Sequence, residues 1–452
     1  MHFSILWHYG YGLNIIYRKY TIRRIDMIFH EVRSGDTLVS IAASYGTSVE
    51  RLILDNGMPN PDRLAVGQCV VIVYPKTLHT VTQGDTLYSV AARYGVTLNA
   101  LYRNNPQLFS RPYVEEGEAL VIEFEDMPIG NYRTGGYAYP DIENELLIET
   151  LPFMNYIMPF TYGFTPTGRL IPLDDGEILA QSGIYGTTAY MHLSTLTADG
   201  TFSNDLARIF LNSESTWEVL MNNIIDTLNE KNYSGLDIDF EFLPSEDAGK
   251  YAQFVTYATN TLNPLGYDVM VALAPKTSDT QVGLLYEGHD YALLGNAANY
   301  VLLMTYEWGY TYGPPGPVSP IPSMRKVLNY AVENISRHKI FMGVSNYGYD
   351  WTLPYIKGES KARSISTDTA LLLASEYNAV IYFDETAKAP YFHYTDEDGK
   401  VHEVWFEDAR SIAAKLNLCA EFSFRGALNW NIDRRNRQNL PMLNLLFLGS
   451  RK

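Results

Sequence analysis

Eight apolar runs rich in β-branched and aromatic residues alternate with helical patterns between residue 130 and the end of the chain. The runs lie near residues 134, 155, 187, 233, 268, 299, 339 and 425. Eight strands separated by helices over roughly 320 residues are typical of a closed (β/α)₈ barrel. A doubly wound open sheet is the alternative, but no Gly-x-Gly-x-x-Gly follows the first run and the chain has no P-loop. The sequence therefore predicts an α/β fold, a TIM barrel over residues 128–452.

Two further features of this region concern its connections. The connection after the seventh run is longer than an ordinary loop, which predicts a small α+β insertion at about 350–405. Before the fourth run, the segment STWEVLMNNIIDTLNEK predicts a helix in which Ser215 and Glu218 form a capping box.

Three carboxylates follow one another in the fourth run, LDIDFEFLP. Asp237, Asp239 and Glu241 are spaced i, i+2 and i+4, so a strand points all three to one face. The alternate positions are all apolar: Leu236, Ile238, Phe240 and Phe242. Because the outer face of a barrel strand packs on helices, the acids are expected inside the barrel, where like charges cannot all ionise.

Metal binding and acid catalysis are two uses for such a cluster. No histidine lies nearby in the sequence, and magnesium sites usually add substrate phosphates, so metal binding is the weaker interpretation. Glu241 comes last and is nearest the C-terminal rim, where barrel active sites open. A neighbouring Asp239 raises the pKa of Glu241 and keeps it protonated for donation, so the pattern favours acid catalysis.

The segment SGLDIDFE (Ser234–Glu241) resembles the DGxDxDxE signature of glycoside hydrolase family 18. The resemblance recurs in LLMTYEWGY (Leu302–Tyr310), similar to the MxYD segment of the family, and in GALNWNID, which contains Trp430. It covers nearly all of residues 130–450. It implies retaining hydrolysis in which the 2-acetamido group of the substrate is the nucleophile, with no cofactor and no metal.

The resemblance also implies a role for each matching residue. Glu241 is the general acid and then the base, while Asp239 orients the acetamido group and stabilises the oxazolinium ion. Asp237 supports Asp239 electrostatically. Tyr306 donates a hydrogen bond to the acetamido oxygen, and Trp430 forms the floor of the sugar site.

Two departures from the family pattern accompany these matches. Ser234 replaces the first Asp of the signature, at what we expect to be the buried start of the strand, so activity is expected to survive. Glu307 replaces the acid that follows the MxY tyrosine and is one methylene longer than Asp, which reshapes the sugar pocket. Met304 and Glu307 complete the predicted substrate-binding residues.

A duplicated module precedes the barrel region. The 27 residues from His30 align without gaps on those from His79, at an offset of 49, with 13 identities. Each copy has a short strand, a Gly-Asp turn, a capping Thr, a helix ended by Gly, a second helix and a closing strand. The GDTL…IA..YG…L…N pattern resembles LysM domains, as βααβ units at residues 28–74 and 77–124.

LysM modules bind glycans that contain N-acetylglucosamine, in a groove between the first and last loops. Carried over by position, the groove residues of the first copy are Gly35, Asp36, Thr37, Leu38 and Asn56. In the second copy they are Gly84, Asp85, Thr86, Leu87, Asn105 and Pro106. Most of these residues are also turn and cap residues, so a purely structural role stays open for each one.

Composition and charge argue against several other classes of protein. The net charge of −17 repels phosphate backbones, which argues against nucleic acid as a partner. No run of 18 apolar residues predicts a membrane span, and the two separated cysteines suggest neither a disulfide framework nor a zinc site. The 35 tyrosines suit sugar surfaces as well as a core, and several follow the predicted strands near the rim. Residues 1–26 lack the order of a secretory signal and are interpreted as a disordered extension or a start-site artefact.

Together the two halves resemble the cortex-fragment-lytic N-acetylglucosaminidases of spore-forming bacteria. That resemblance implies cleavage of peptidoglycan during germination and a location in the spore coat or cortex, with secretion or cell-wall association as the alternative. A chitinase or chitooligosaccharide hydrolase is the second enzyme hypothesis, since its acetamido chemistry is identical. A catalytically silent glycan-binding coat protein is the hypothesis of another class, and the intact acid row argues against it.

Overall fold

The computed structural model describes residues 28–109, 111–125 and 128–451. The extension predicted over residues 1–26 lies outside them. Within the described ranges, no helix combines the length and the apolar character needed to cross a bilayer.

The N-terminal part of the described chain, up to residue 124, forms two βααβ units, as predicted. The first unit consists of Ile28–Glu31, Leu38–Tyr45, Val49–Asn56 and Cys69–Ile72, and the second of Pro75–Thr80, Leu87–Tyr94, Leu98–Asn104 and Ala119–Phe124. In each unit the two strands pair antiparallel. Thr37 and Thr86 cap the first helices by accepting from the backbone N–H of Ser40 and Ser89, both at 3.1 Å.

Eight parallel strands form the barrel and agree with the eight predicted runs. In chain order, barrel strands 1 to 8 are Arg133–Ala138, Tyr156–Pro159, Thr188–Ala189 with Met191–Ser194, Gly235–Asp239, Asp268–Leu273, Tyr300–Leu303, Ile340–Ser345 and Gly426–Trp430. Barrel strand 3 is interrupted at Tyr190. Its first piece pairs with strand 2 and its second with strand 4, so the two pieces close the sheet on itself.

Helices cover the outside of the barrel, where the apolar faces of the strands need partners. The longer ones are Gly176–Tyr185, Asn204–Leu211, Glu214–Lys231, Ala248–Leu262, Ile321–Asn334 and Ala409–Glu421. Shorter helices are Asn144–Thr150, Leu284–Glu287, Tyr291–Ala297 and Asn439–Met442. The capping box predicted from Ser215 and Glu218 is wrong, because the helix begins at Glu214 with Ser213 as its N-cap.

An α+β element lies between barrel strands 7 and 8. Its antiparallel sheet contains the strands Gly348–Thr352, Arg363–Ile365, Tyr382–Asp384, Ala389–Thr395 and Val401–Trp405. The helix Thr367–Glu376 packs on it, with Ala370, Leu371 and Phe392 in a separate small core. We call this element the insertion.

Both LysM units are docked on the barrel through buried contacts. The side chain of Arg103 in the second unit donates to Asn444 at 2.8 Å and to the carbonyl of Pro152 at 3.0 Å. In the first unit, the carbonyl of Cys69 accepts from Gln438 at 2.8 Å, and that of Val66 accepts from the N–H of Ile381 in the insertion at 2.8 Å. Apolar residues of both units belong to the same core cluster as the barrel residues: Cys69, Val71, Val73, Val121 and Phe124.

Candidate active site

The fourth barrel strand carries the acid row, and its start is shaped by Gly235. A Cβ on Gly235 would lie 2.5 Å from the carbonyl of Asp268 on the neighbouring strand, so only glycine fits there. Ser234 before it is exposed, not buried as expected, and its N–H donates to the carbonyl of Ala189 at 2.8 Å. Its replacement of the family aspartate therefore lies on the surface, at the opposite end of the strand from Glu241.

Leu236, Ile238 and Phe240 pack outward as predicted, but Phe242 does not. The regular strand ends at Asp239, and Phe242 has a left-handed backbone with φ of 55°. This turn leaves the Phe242 ring 42% exposed and places it at the wall of the cleft. Strand alternation predicted the outer face because it assumed that the strand continued past Asp239.

Asp237 is fully buried behind the cleft. The hydroxyl of Tyr137, from barrel strand 1, donates to its Oδ2 at 2.7 Å. Burial raises the pKa of Asp237 to about 6, although nearby His192 and the Tyr137 hydrogen bond act in the opposite direction. Asp237 therefore lies behind the residues that line the cleft.

His192 is the residue that sequence reasoning missed. It lies in TTAYMHLS on barrel strand 3, opposite Asp237 in the strand register, and is completely buried. Its Nε2 lies 3.6 Å from Asp239 Oδ2 and 3.9 Å from Asp237 Oδ2, and its Nδ1 lies 2.6 Å from the hydroxyl of Thr161. The expectation that the acids have no histidine neighbour is therefore wrong, because the fold brings His192 to them from a distant part of the chain. The available signal was a histidine between Met191 and Leu193 in a predicted barrel strand.

His192, Asp237 and Asp239 each contribute one buried polar atom without a hydrogen-bond partner among the described residues. These atoms are His192 Nε2, Asp237 Oδ1 and Asp239 Oδ1. Orphaned polar atoms are rare in protein interiors and cluster where function requires them. No three His, Cys, Asp or Glu side chains in the described part of the chain are placed to hold a metal ion.

Glu241 and Asp239 both line the cleft, as the residue order predicted. Burial raises the pKa of Glu241 to about 8, and the negative charges of Asp239 and Glu307 add to the shift. At neutral pH most Glu241 side chains therefore hold a proton. The sequence prediction named Asp239 as the cause, but removal from water is the larger one.

The cleft is a cavity of about 330 Å³ at the C-terminal end of the barrel strands. Its walls include Met304, Tyr306 and Glu307 from the loop after strand 6, together with Trp430 at the end of strand 8. The Trp430 ring contacts Phe160 and Tyr137 edge-on, with centroids 4.8 and 5.5 Å apart. The structure thus brings all four predicted substrate-binding residues together with Glu241.

Glu307 has an unusual backbone and is held by two tyrosines. Its φ is 68°, a conformation that costs energy for a residue other than glycine and is found mainly at functional sites. The hydroxyl of Tyr347 donates to its carboxylate, and the hydroxyl of Tyr349 donates at 3.0 Å to Oε1. Burial raises the pKa of Glu307 and these hydrogen bonds oppose that rise.

The LysM residues divide between a groove and the interior. In the first unit, Asp36, Thr37 and Leu38 line a groove of about 240 Å³. Asn56 lies in the interior, where its side chain donates to the carbonyls of Leu52 and Val71 and accepts from the Val71 N–H. Gly35 forms the preceding turn with φ of 90°.

The second unit repeats this arrangement. Gly84 turns the chain with φ of 87°, Thr86 caps the helix, and Leu87 is buried. Asp85 accepts from the N–H of Thr82 at 2.8 Å, and this bond helps to lower its pKa. Asn105 makes the same three hydrogen bonds as Asn56, here with Leu101 and Val121. Pro106 borders a cavity of about 150 Å³ between the two units and the barrel.

Comparison with known families assigns both halves of the chain. The family described as Glycosyl hydrolases family 18 matches residues 193–434, and the LysM domain matches residues 30–73 and 79–122. The cortical fragment-lytic enzyme of Bacillus subtilis (strain 168) is 39% identical over 425 residues, which are 92% of this chain and 97% of that one.

Solved structures agree with the sequence comparison. The spore cortex-lytic enzyme SleL of Bacillus megaterium QM B1551 superposes with a TM-score of 0.78 at 36% identity, covering 93% of this chain and 97% of that one. SleL of Bacillus cereus gives the same TM-score and coverage at 33% identity.

Proposed function

Because the chain belongs to glycosyl hydrolase family 18 and contains two LysM domains, it is a glycoside hydrolase, and we propose that it cleaves spore cortex peptidoglycan. The hydrolase family and the LysM domains both indicate binding of glycans that contain N-acetylglucosamine. The bond cleaved is the β-1,4 linkage after N-acetylglucosamine, and the site of action is the spore. The observation that carries the chemistry is Glu241 beside Asp239 in an aromatic-walled cleft, where burial raises the pKa of Glu241 to about 8.

The first step is protonation of the leaving oxygen. Glu241 holds its proton at neutral pH and faces the cleft, so it can donate to the glycosidic oxygen as the bond to C1 breaks. The carbonyl oxygen of the substrate's 2-acetamido group attacks C1 and forms an oxazolinium ion. Asp239 accepts from the acetamido N–H and stabilises the positive charge of that ion. The second step reverses the proton transfer: Glu241 takes a proton from water as the water attacks C1, with net retention.

The surrounding residues set the geometry for these steps. Tyr306 is 8% exposed at the cleft wall, and burial raises its pKa, so its hydroxyl remains a donor for the acetamido oxygen. Trp430 supplies a flat apolar face for the sugar ring. His192 and Tyr137 position Asp237 and Asp239 from behind.

The LysM units act as a fixed platform for the polymer. Binding of the same glycan at a second site raises its concentration at the cleft without any new catalytic contact. The docking through Arg103 and Cys69 holds this platform in a fixed position on the barrel.

The test compares Glu241→Gln with Glu218→Gln, an exposed glutamate on an outer helix. We expect Glu241→Gln to reduce the release of reducing ends at least about 100-fold. Its pelleting with insoluble peptidoglycan should not change, and Glu218→Gln should behave as the unaltered enzyme. Unchanged turnover in Glu241→Gln would overturn the mechanism. Mass spectrometry of products from cortex fragments and from chitin oligomers decides the substrate, since cleavage of chitin alone would make the enzyme a chitinase.

A further inference from the structure

A second cavity, which we call the side cavity, adjoins the catalytic cleft. Its volume is about 610 Å³, larger than that of the cleft itself. It is lined by residues 139–146 after barrel strand 1, by residues 431–435 after barrel strand 8, and by residues 363–369 of the insertion. Tyr139 lines both cavities, so the side cavity lies directly beside the sugar site.

Arg434 is a cation of this cavity whose side chain interacts with the described residues through its charge alone, which lowers the pKa of Asp433 and of Tyr139. It is exposed, and its guanidinium makes no hydrogen bond or ion pair with any of them. The other two arginines are engaged: Arg363 lies 3.1 Å from Asp350, and Arg435 lies 3.7 Å from Glu149. A guanidinium in the wall of such a cavity is suited to bind a carboxylate with two parallel hydrogen bonds.

The nearby acids offset the charge of Arg434 only in part. Asp433 accepts from the N–H of Tyr139 at 3.1 Å, and burial raises its pKa to about 7, so its negative charge is only partial at neutral pH. Asp141 and Glu143 are exposed at the rim, where water and salt screen their charges.

An unsatisfied polar group lies in the same wall. The side-chain oxygen of Asn431 is buried and has no hydrogen-bond partner among the described residues. It therefore offers an acceptor for an amide or hydroxyl donor of the bound group. Asn431 directly follows Trp430, so the same short segment borders the sugar floor and the side cavity.

We propose that the side cavity binds the carboxylate-bearing lactyl substituent of a muramic acid unit adjacent to the scissile bond, with Arg434 as the partner of the carboxylate. This inference rests on the proposed function, because chitin carries no such substituent. The carboxylate belongs either to the lactyl group itself or to an amino acid or peptide attached to it. In both cases Arg434 distinguishes peptidoglycan from chitin.

The test measures kcat/KM of the full-length enzyme on three soluble substrates: glycan fragments with peptides, the same fragments stripped of peptides, and chitin oligomers. Arg434→Ala should lower kcat/KM about fivefold on carboxylate-bearing fragments, the loss expected for a guanidinium–carboxylate pair that water and salt screen. Arg434→Lys should lose less, and raised salt should reduce the difference. Turnover of chitin oligomers should remain within about twofold.

The matched control is Arg133→Ala. Arg133 is exposed at the start of barrel strand 1, at the opposite end of the barrel, and its side chain likewise has no polar partner among the described residues. A loss confined to peptide-bearing fragments assigns the carboxylate to the peptide, and a loss confined to stripped fragments assigns it to the lactyl group, whose carboxyl is tied up in an amide bond when a peptide is attached. Equal losses on both kinds of fragment mean that Arg434 binds either carboxylate. Equal losses on chitin, or no loss on any substrate, overturn the inference while leaving the proposed function intact. Failure of the unaltered enzyme to cleave the fragments overturns both.

Discussion

The substitution Asn56→Ala tests whether the LysM asparagine stabilises the module or binds glycan. Its amide makes three hydrogen bonds of 2.7 to 2.9 Å to backbone groups, and two of them join the second helix to Val71 in the closing strand. Both Asn56 and Val71 are buried, so no water replaces these bonds. At about 1 kcal/mol per bond, the free energy of unfolding should fall by about 3 kcal/mol. With an unfolding entropy of about 2 cal/mol/K per residue, Tm should fall by about 3 °C.

The assay is calorimetry of the full-length protein, together with pelleting on insoluble peptidoglycan below Tm. Asn60→Ala is the matched control, because Asn60 lies in the following loop, is half-buried, and makes no side-chain hydrogen bond with the described residues. Val39→Asn tests glycan binding instead of stability, since Val39 lines the groove and is 68% exposed. This variant should weaken pelleting with peptidoglycan and leave Tm unchanged. If Asn56→Ala kept the original Tm but lost pelleting, the structural role of Asn56 would be refuted.

Two further predictions concern the pH profile of kcat/KM on a soluble substrate. Activity should fall as pH rises through about 8, because Glu241 loses its proton there. Glu307→Gln removes a negative charge near Glu241, which lowers the pKa of Glu241, so this alkaline limb should move to lower pH. An unmoved limb would contradict the influence of Glu307 on that carboxyl. His192→Asn should lower kcat more than it changes KM. It should also move the acidic limb of the profile above about 6, because His192 lowers the pKa of Asp237 and the substitution removes that effect. His338→Asn, at an exposed position, is the control, and an unchanged profile in the His192 variant would rule out its positioning role.

The barrel was predictable from sequence because its strands are short apolar runs separated by helical patterns. In the fourth run, the alternation of acidic and apolar residues placed Asp237, Asp239 and Glu241 on one face, and the structure has them at or behind the cleft. It failed at Phe242, where a positive φ ends the alternation. Alternation in the sequence therefore predicts which face each residue of a strand occupies, but only as far as the residue where the strand ends.

The remaining features depend on contacts between distant parts of the chain. His192 reaches the acids through the register between barrel strands 3 and 4, which local sequence does not encode. The Asn56 side chain bonds to a residue 15 positions away, and Arg103 to one 341 positions away. Sequence similarity located the LysM units, but their orientation on the barrel depends on these long-range bonds.

The docking of the LysM units has a consequence for their exchange between proteins. Val121 and Phe124 complete a core that also contains barrel residues such as Leu446, and a Cβ on Gly57 would overlap the side chain of Arg437. A LysM module from another protein would fit only if its surface facing the barrel, here called the underside, had the same shape. These units therefore cannot be exchanged freely for other LysM modules. Changes on the underside of a module must be matched by changes on the barrel, and the two parts of the chain are expected to diverge together.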